Sequence, residues 1–180
     1  MQKVALITGT GSGIGKALAE LLLKNNYLVF GYSRTNSITH PNFTYTKIDL
    51  SNLEAVQKLQ FPNVDVTIDV LLVNNAATIG SILPIDKKAE KEIIQEYNLN
   101  IISPTLLSRQ FINTYSDNKK LLINIGSGAA NKAIASWSTY CATKSGLDML
   151  TEVIAEEKHK NLTVFSIHPG VVDTNMQKEI

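Results

Sequence analysis

A doubly wound α/β fold on a parallel sheet is what the sequence predicts, from two observations: six short apolar, β-branched-rich runs bounded by turn residues, and helical periodicity in most gaps between them. The runs lie at residues 3–8, 27–32, 43–48, 68–74, 121–126 and 162–168, and each reads as a strand. Helical patterns occupy residues 13–25, 52–59, 86–114 and 138–160, the last two long and amphipathic. Buried strands joined by helical crossovers make a parallel sheet covered on both faces, because each crossover returns on the right-handed side. No composition shift, internal repeat or low-complexity stretch marks a linker, so residues 1–180 are expected to form one domain.

The chain's 180 residues, 44% of them hydrophobic, suffice for a sizeable core. With 17 Lys plus Arg against 16 Asp plus Glu, and no basic cluster, there is no electrostatic footprint for nucleic acid or an anionic membrane, and neither partner is expected. The lone Cys141 has no partner for an intramolecular disulfide, and His40, His159 and His168 are too scattered for a metal site. The apolar stretch Val4-Ala5-Leu6-Ile7 is too short for a signal-peptide core, and no run approaches the ~20 residues of a membrane span. A cytoplasmic location is the expectation.

Between the first strand and the first helix lies Thr8-Gly9-Thr10-Gly11-Ser12-Gly13-Ile14-Gly15. Glycines at Gly9, Gly13 and Gly15 allow a tight turn and let the backbone approach a pyrophosphate at a helix N-terminus. That placement makes the turn a candidate dinucleotide site of the Rossmann type. NAD enzymes of this fold carry an Asp or Glu about 20 residues past the glycines, on the adenine ribose. Here no acid lies between Glu20 and Asp49, and the second strand ends in Ser33-Arg34. A hydroxyl and a guanidinium suit a 2′-phosphate, so NADP (NADPH) is favoured over NAD. The alternative is that Arg34 is an ordinary solvated loop residue.

In the last predicted helix Tyr140 and Lys144 stand four apart on one face, with an axial separation of ~6 Å. A phenol titrates near ~10, and a desolvated ammonium beside it stabilises the phenolate, making the tyrosine a usable acid or base. Such a pair alone is usually a surface pair; its setting distinguishes this one. Ser127 follows the fifth predicted strand in Ile123-Asn124-Ile125-Gly126-Ser127, at the carboxyl edge where open α/β sheets bind ligands. It can polarise a carbonyl there, or serve only as a cap or turn serine.

The set Thr8 to Gly15, Asn74-Asn75-Ala76-Ala77, Asn100, Ser127, Tyr140-Cys141-Ala142-Thr143-Lys144 and Pro169-Gly170-Val171-Val172-Asp173-Thr174 resembles the short-chain dehydrogenase/reductase family over nearly the whole chain. The resemblance implies that Tyr140 protonates the carbonyl oxygen during reduction and that Ser127 hydrogen-bonds the same oxygen. Lys144 would hold the nicotinamide ribose and lower the Tyr140 pKa. The main chain of Asn100 would hold a water of a proton relay. Pro104, four residues on, has no N–H for the Asn100 carbonyl, which frees that carbonyl or simply kinks the helix. Implied cofactor contacts, besides Gly9, Ser12, Gly13, Gly15, Ser33 and Arg34, are Ile14 near the nicotinamide, Asp49 and Leu50 at the adenine, and Asn75 and Ala76 along the fourth strand. Val172 and Thr174 would meet the carboxamide, on a turn shaped by Pro169 and Gly170. Ala77 departs from the glycine usual in the family.

Residues 172–177 look like the post-strand segment of the sepiapterin reductase and benzil reductase-like subgroup, which reduces one carbonyl of a vicinal dicarbonyl. Family members continue through a substrate lid and a seventh strand that this sequence does not contain, so a fragment of a longer protein is expected. The expected activity is NADPH-dependent reduction of a ketone or 1,2-dicarbonyl by hydride transfer, in a homodimer or homotetramer built on the two long helices. An NADP-binding sensor without turnover and an NAD-dependent alcohol dehydrogenase are the alternatives.

Overall fold

In the computed structural model, which describes residues 3–170, 172 and 173, the first run divides its side chains between two cores. Val4 and Leu6 point into one, Ala5 and Ile7 into the other, as the two-residue period of a strand requires. This strand, β1 (Lys3–Thr8), lies inside a parallel sheet with β2 (Tyr27–Ser33), β3 (Phe43–Lys47), β4 (Val70–Asn74), β5 (Lys120–Ile125) and β6 (Leu162–Ile167). The order is β3-β2-β1-β4-β5-β6. Lys3 stands opposite Tyr27 on one side of β1, and Val4 opposite Val70 on the other. Strand order reverses between β1 and β4, which opens a crevice at their carboxyl ends.

The helices are α1 (Gly13–Lys24), α2 (Leu53–Lys58), α3 (Glu90–Tyr97), α4 (Ser103–Thr114) and α5 (Ser138–Glu156). Crossover handedness decides where they lie. The β1 to β2 connection runs outward in one direction and places α1 on one face, where Ala19 and Leu23 pack against Ala5, Ile7 and Val29. Connections from β3 to β4, β5 and β6 run the opposite way. They put α2, α4 and α5 on the other face, where Val56, Leu107, Phe111 and Ile154 pack against Leu6, Leu72 and Leu122.

Expected cover on both faces is therefore incomplete. Over β5 and β6 the α1 side carries no helix among the described residues, and Phe165 and Ile167 are 53% and 43% exposed there. They register with Ile123 and Ile125, whose side chains share that face. No helix among the described residues is long and apolar enough to cross a membrane.

The helix expected over residues 86–114 is broken in two places. Ile85–Lys87 is a single 3₁₀ turn, and Lys88 and Ala89 are extended before α3 begins. Between α3 and α4, Asn98–Ile102 forms a π turn, with the Ser103 N–H donating to the Asn98 carbonyl five residues back. Pro104 explains it: the missing N–H removes the bond to the Asn100 carbonyl, and a wider turn carries the chain past the gap. The final helix stops at Glu156 rather than 160, because Lys158 and Asn161 take left-handed φ of 52° and 57°.

Candidate active site

The crevice at the carboxyl ends of β1, β4 and β5 is a cleft of about 480 Å³. Its floor at one end is the glycine turn. Gly9 adopts φ 76°, and a methyl at Gly15 would strike the Gly9 carbonyl and the Asn75 amide, so the turn closes only with glycine at both. Asn75 ties the turn to β4, its side-chain amide donating to the Thr8 and Gly9 carbonyls at 2.9 and 3.3 Å. The Thr8 hydroxyl accepts from the Asn75 and Ala76 N–H groups at 2.9 and 3.0 Å.

At the head of α1, Ser12 is the N-cap residue, yet its hydroxyl makes no capping bond, and no acid sits in the first turn. The positive end of the helix and its unpaired N–H groups are thus open to an anion. The residues present fit a dinucleotide pyrophosphate.

Farther along the cleft, Arg34 is exposed at the end of β2, beside Asp49. Burial pushes the Asp49 carboxyl up, but the Ser51 N–H and hydroxyl, at 2.9 and 2.8 Å, and then the Arg34 guanidinium leave it below the ordinary carboxylate value. Ser33 departs from its expected part. Its hydroxyl donates to the Thr35 carbonyl at 2.7 Å and meets Thr10 at 3.2 Å, so its one proton is committed inside the protein. Arg34 alone of the pair is free to face a 2′-phosphate.

The opposite wall carries Ser127, Tyr140 and Lys144, brought together by the end of β5 and the first two turns of α5. Tyr140 is 7% and Lys144 3% exposed. The Lys144 ammonium donates to the Ile125 carbonyl at 2.7 Å and lies 5.8 Å from the Tyr140 ring centroid. Ser127 caps the short turn after β5, accepting from the Ala129 N–H at 3.2 Å, while its hydroxyl also faces the phenol. The cap reading of this serine holds, and the same residue lines the cleft.

Burial raises the Tyr140 pKa above the usual phenol value, the Ser127 hydroxyl pulls it partly back, and Cys141 adds a small rise. The expectation that Lys144 lowers it does not describe this balance. Burial penalises the phenolate, and the Lys144 ammonium, itself desolvated and bonded to the Ile125 carbonyl, is not among the groups that offset this. Burial brings Lys144 down to about 8 from 10.5, against an opposing pull from Asp148.

A lysine with a lowered folded pKa binds its proton less well than in the unfolded chain, so stability rises as pH climbs from about 8 towards 10.5. Relative to Lys144→Met, the nucleotide-free wild type is therefore expected to gain up to about 3 kcal/mol across that window. Urea unfolding at several pH values reads this, and a parallel trend in both proteins overturns it.

Asn100 sits behind this wall, in the π turn. Its side-chain oxygen accepts from the Thr78 N–H at 2.9 Å, and its amide donates to the Thr78 carbonyl and the Thr143 hydroxyl at 2.8 and 3.2 Å. It is buried and does not line the cleft. Gly15 is likewise buried and does not line the cleft. Gly9, Ser12, Gly13, Ile14, Ser33, Arg34, Asp49, Leu50, Asn75, Ala76, Pro169, Gly170 and Val172 all line the cleft with the wall residues. Thr174 lies outside the described residues.

Sequence reasoning missed Thr35 at the nucleotide end, and Ile79, Ala129, Ile134 and Trp137 at the other. Trp137 had one available signal, its place three residues before Tyr140. Its indole meets the Tyr140 ring at 5.8 Å and 78°, edge to face.

Sheet order and cleft together define the class, a doubly wound α/β fold with a ligand crevice at its switch point. The model of the short chain dehydrogenase family matches residues 3–180. The (S)-benzoin-forming benzil reductase of Bacillus subtilis strain 168 is 36% identical over 97% of this chain and 76% of its own length. Sepiapterin reductase of Rattus norvegicus is 30% identical, over 97% of this chain and 76% of the relative. A solved 4-hydroxyisoleucine dehydrogenase complexed with NADH matches with a TM-score of 0.87 at 29% identity, covering 98% of this chain and 76% of that one. The chain belongs to the short-chain dehydrogenase family, whose members bind nicotinamide cofactors.

Proposed function

We propose that the protein is an NADPH-dependent carbonyl reductase that converts a ketone or one carbonyl of a 1,2-dicarbonyl to the alcohol. The observation that carries this reading is a buried Tyr140 hydroxyl opening onto the cleft, faced by Ser127 and backed by the Lys144 ammonium. Bound NADPH supplies the hydride. Tyr140 gives its proton to the carbonyl oxygen, and Ser127 donates a hydrogen bond to the same atom. A raised phenol pKa keeps Tyr140 protonated before reaction, which a proton donor requires.

Lys144 holds the ribose hydroxyls with the donors left after Ile125. The Asn100 carbonyl, relieved of its helical partner by Pro104, holds a relay water. The glycine turn, Ser12 and Arg34 bind the phosphates. Ile14, Asn75 and Ala76 flank the ribose and nicotinamide, Asp49 and Leu50 the adenine, and Pro169, Gly170 and Val172 close the carboxamide end.

The substrate half is apolar, walled by Ile79, Ala129 and Trp137, which suits flat hydrophobic groups beside the carbonyl. The benzil reductase relatives support the dicarbonyl. Exposed Ile102, just before α4, and Met149 and Val153 on α5 support a homodimer or homotetramer on those helices.

Purified protein is expected to oxidise NADPH faster than NADH with a 1,2-diketone. Fluorescence titration should show NADPH binding weakened roughly tenfold by Arg34→Ala, with NADH binding unchanged. Equal wild-type affinities for the two nucleotides would refute the cofactor preference. Tight NADPH binding without turnover on any of a panel of carbonyls would favour a nucleotide sensor instead.

A further inference from the structure

Directly behind the substrate wall lies an ion pair that no step above uses. The side chains of Lys88 and Glu96 are 0% and 2% exposed. The Lys88 ammonium donates to both Glu96 carboxylate oxygens, at 2.7 and 2.8 Å, and to the Thr139 hydroxyl at 2.6 Å. The Thr139 hydroxyl donates in turn to Glu96. Three segments meet here: the connection after β4, the last turn of α3 and the first turn of α5.

We infer that Lys88, Glu96 and Thr139 form a buried clamp that positions Tyr140 and the Ile79 wall for the reaction. This deepens the reading above and rests on it. Thr139 is the neighbour of Tyr140, and the start of α5 has no side-chain capping bond, so the clamp supplies the anchor that a cap would otherwise give. Because the hydroxyl both accepts and donates, its rotamer is fixed, and with it the backbone that carries the phenol.

The other jaw is Gly80. It adopts φ 64°, and a methyl there would overlap the Glu96 carboxylate, which fills the notch above it. Ile79, next to Gly80, is buried against Ala129 and Tyr140. One carboxylate thus touches the neighbour of Tyr140 and the neighbour of Ile79, two residues that line the cleft. Stability alone does not account for the arrangement, since an apolar trio of similar volume folds as well as a buried ion pair. What an ion pair adds is direction, through four hydrogen bonds that hold only in one geometry.

Thr139 is a positioning residue, and Thr139→Val tests it, since valine keeps the shape, removes both bonds and leaves the ion pair intact. The variant is expected to fold, to bind NADPH as the wild type does, and to lose kcat by roughly tenfold or more with KM little changed, as misplacement of a reacting group predicts. Thr139→Ser should restore kcat. The paired substitution Lys88→Met with Glu96→Leu, which leaves no charge unpaired, should lower kcat similarly in a folded protein. Wild-type kcat in Thr139→Val or in the paired variant, beside a dead Tyr140→Phe, overturns the clamp and leaves the proton donor standing. Failure of serine to restore kcat overturns it too, by assigning the loss to packing. Wild-type turnover in Tyr140→Phe removes the reading on which the clamp depends.

Discussion

Tyr140→Phe is expected to bind NADPH as the wild type does and to lose turnover by roughly 10²–10⁴-fold, the range that a positioned general acid contributes. The change deletes one oxygen. The ring stays packed against Ile79, Ala129 and Trp137, so the pocket keeps its shape and the fold its stability. Only the proton for the carbonyl oxygen is lost. Lys144 remains close, but its ammonium is held by the Ile125 carbonyl and is not placed to substitute. Single-turnover absorbance at the reduced nicotinamide band, with binding measured separately by fluorescence, separates the two quantities. Turnover at the wild-type rate would remove Tyr140 from the chemistry.

The second large effect is on stability. Lys88→Met alone should destabilise the protein by about 3–5 kcal/mol, because it strips the Glu96 carboxylate of its cation in a site that water does not reach. At ~2–4 °C per kcal/mol for a chain of this size, the melting temperature should fall by roughly 10 °C. Adding Glu96→Leu removes the stranded charge and should return most of the loss. Urea midpoints for the single and paired variants read the coupling directly. Near-additive losses would mean that Lys88 and Glu96 do not depend on one another.

Much of the sheet was legible because burial on both faces leaves a plain signature, short apolar runs between turns. All six predicted runs are strands, and β1 has its predicted bounds; β4 starts at Val70 instead of residue 68. The glycine turn and the Tyr140–Lys144 pair were legible for a related reason: their geometry is local, set by a few residues of one turn or helix.

What failed to show was set by which hydrogen bonds the folded chain forms, near in sequence for some residues and distant for others. Ser33 looked like a phosphate ligand because its neighbour Arg34 did, but Thr35 takes its proton. Pro104 was visible, whereas the π turn it forces depends on which hydrogen bond the chain forms instead. Lys88 continued a helical pattern, and only Glu96 and Thr139, 8 and 51 residues away, explain why it leaves the helix to bury its charge. The apolar period could not report a buried lysine, since it counts that residue as polar surface.

Among the described residues the face of β5 and β6 opposite α4 and α5 is uncovered, and it adjoins the end strand of the sheet. Phe165 and Ile167 present hydrocarbon to water there, on a strand that is paired on one side only among the described residues. Hydrocarbon side chains beside such a rim are a place where a further extended segment can add to the sheet.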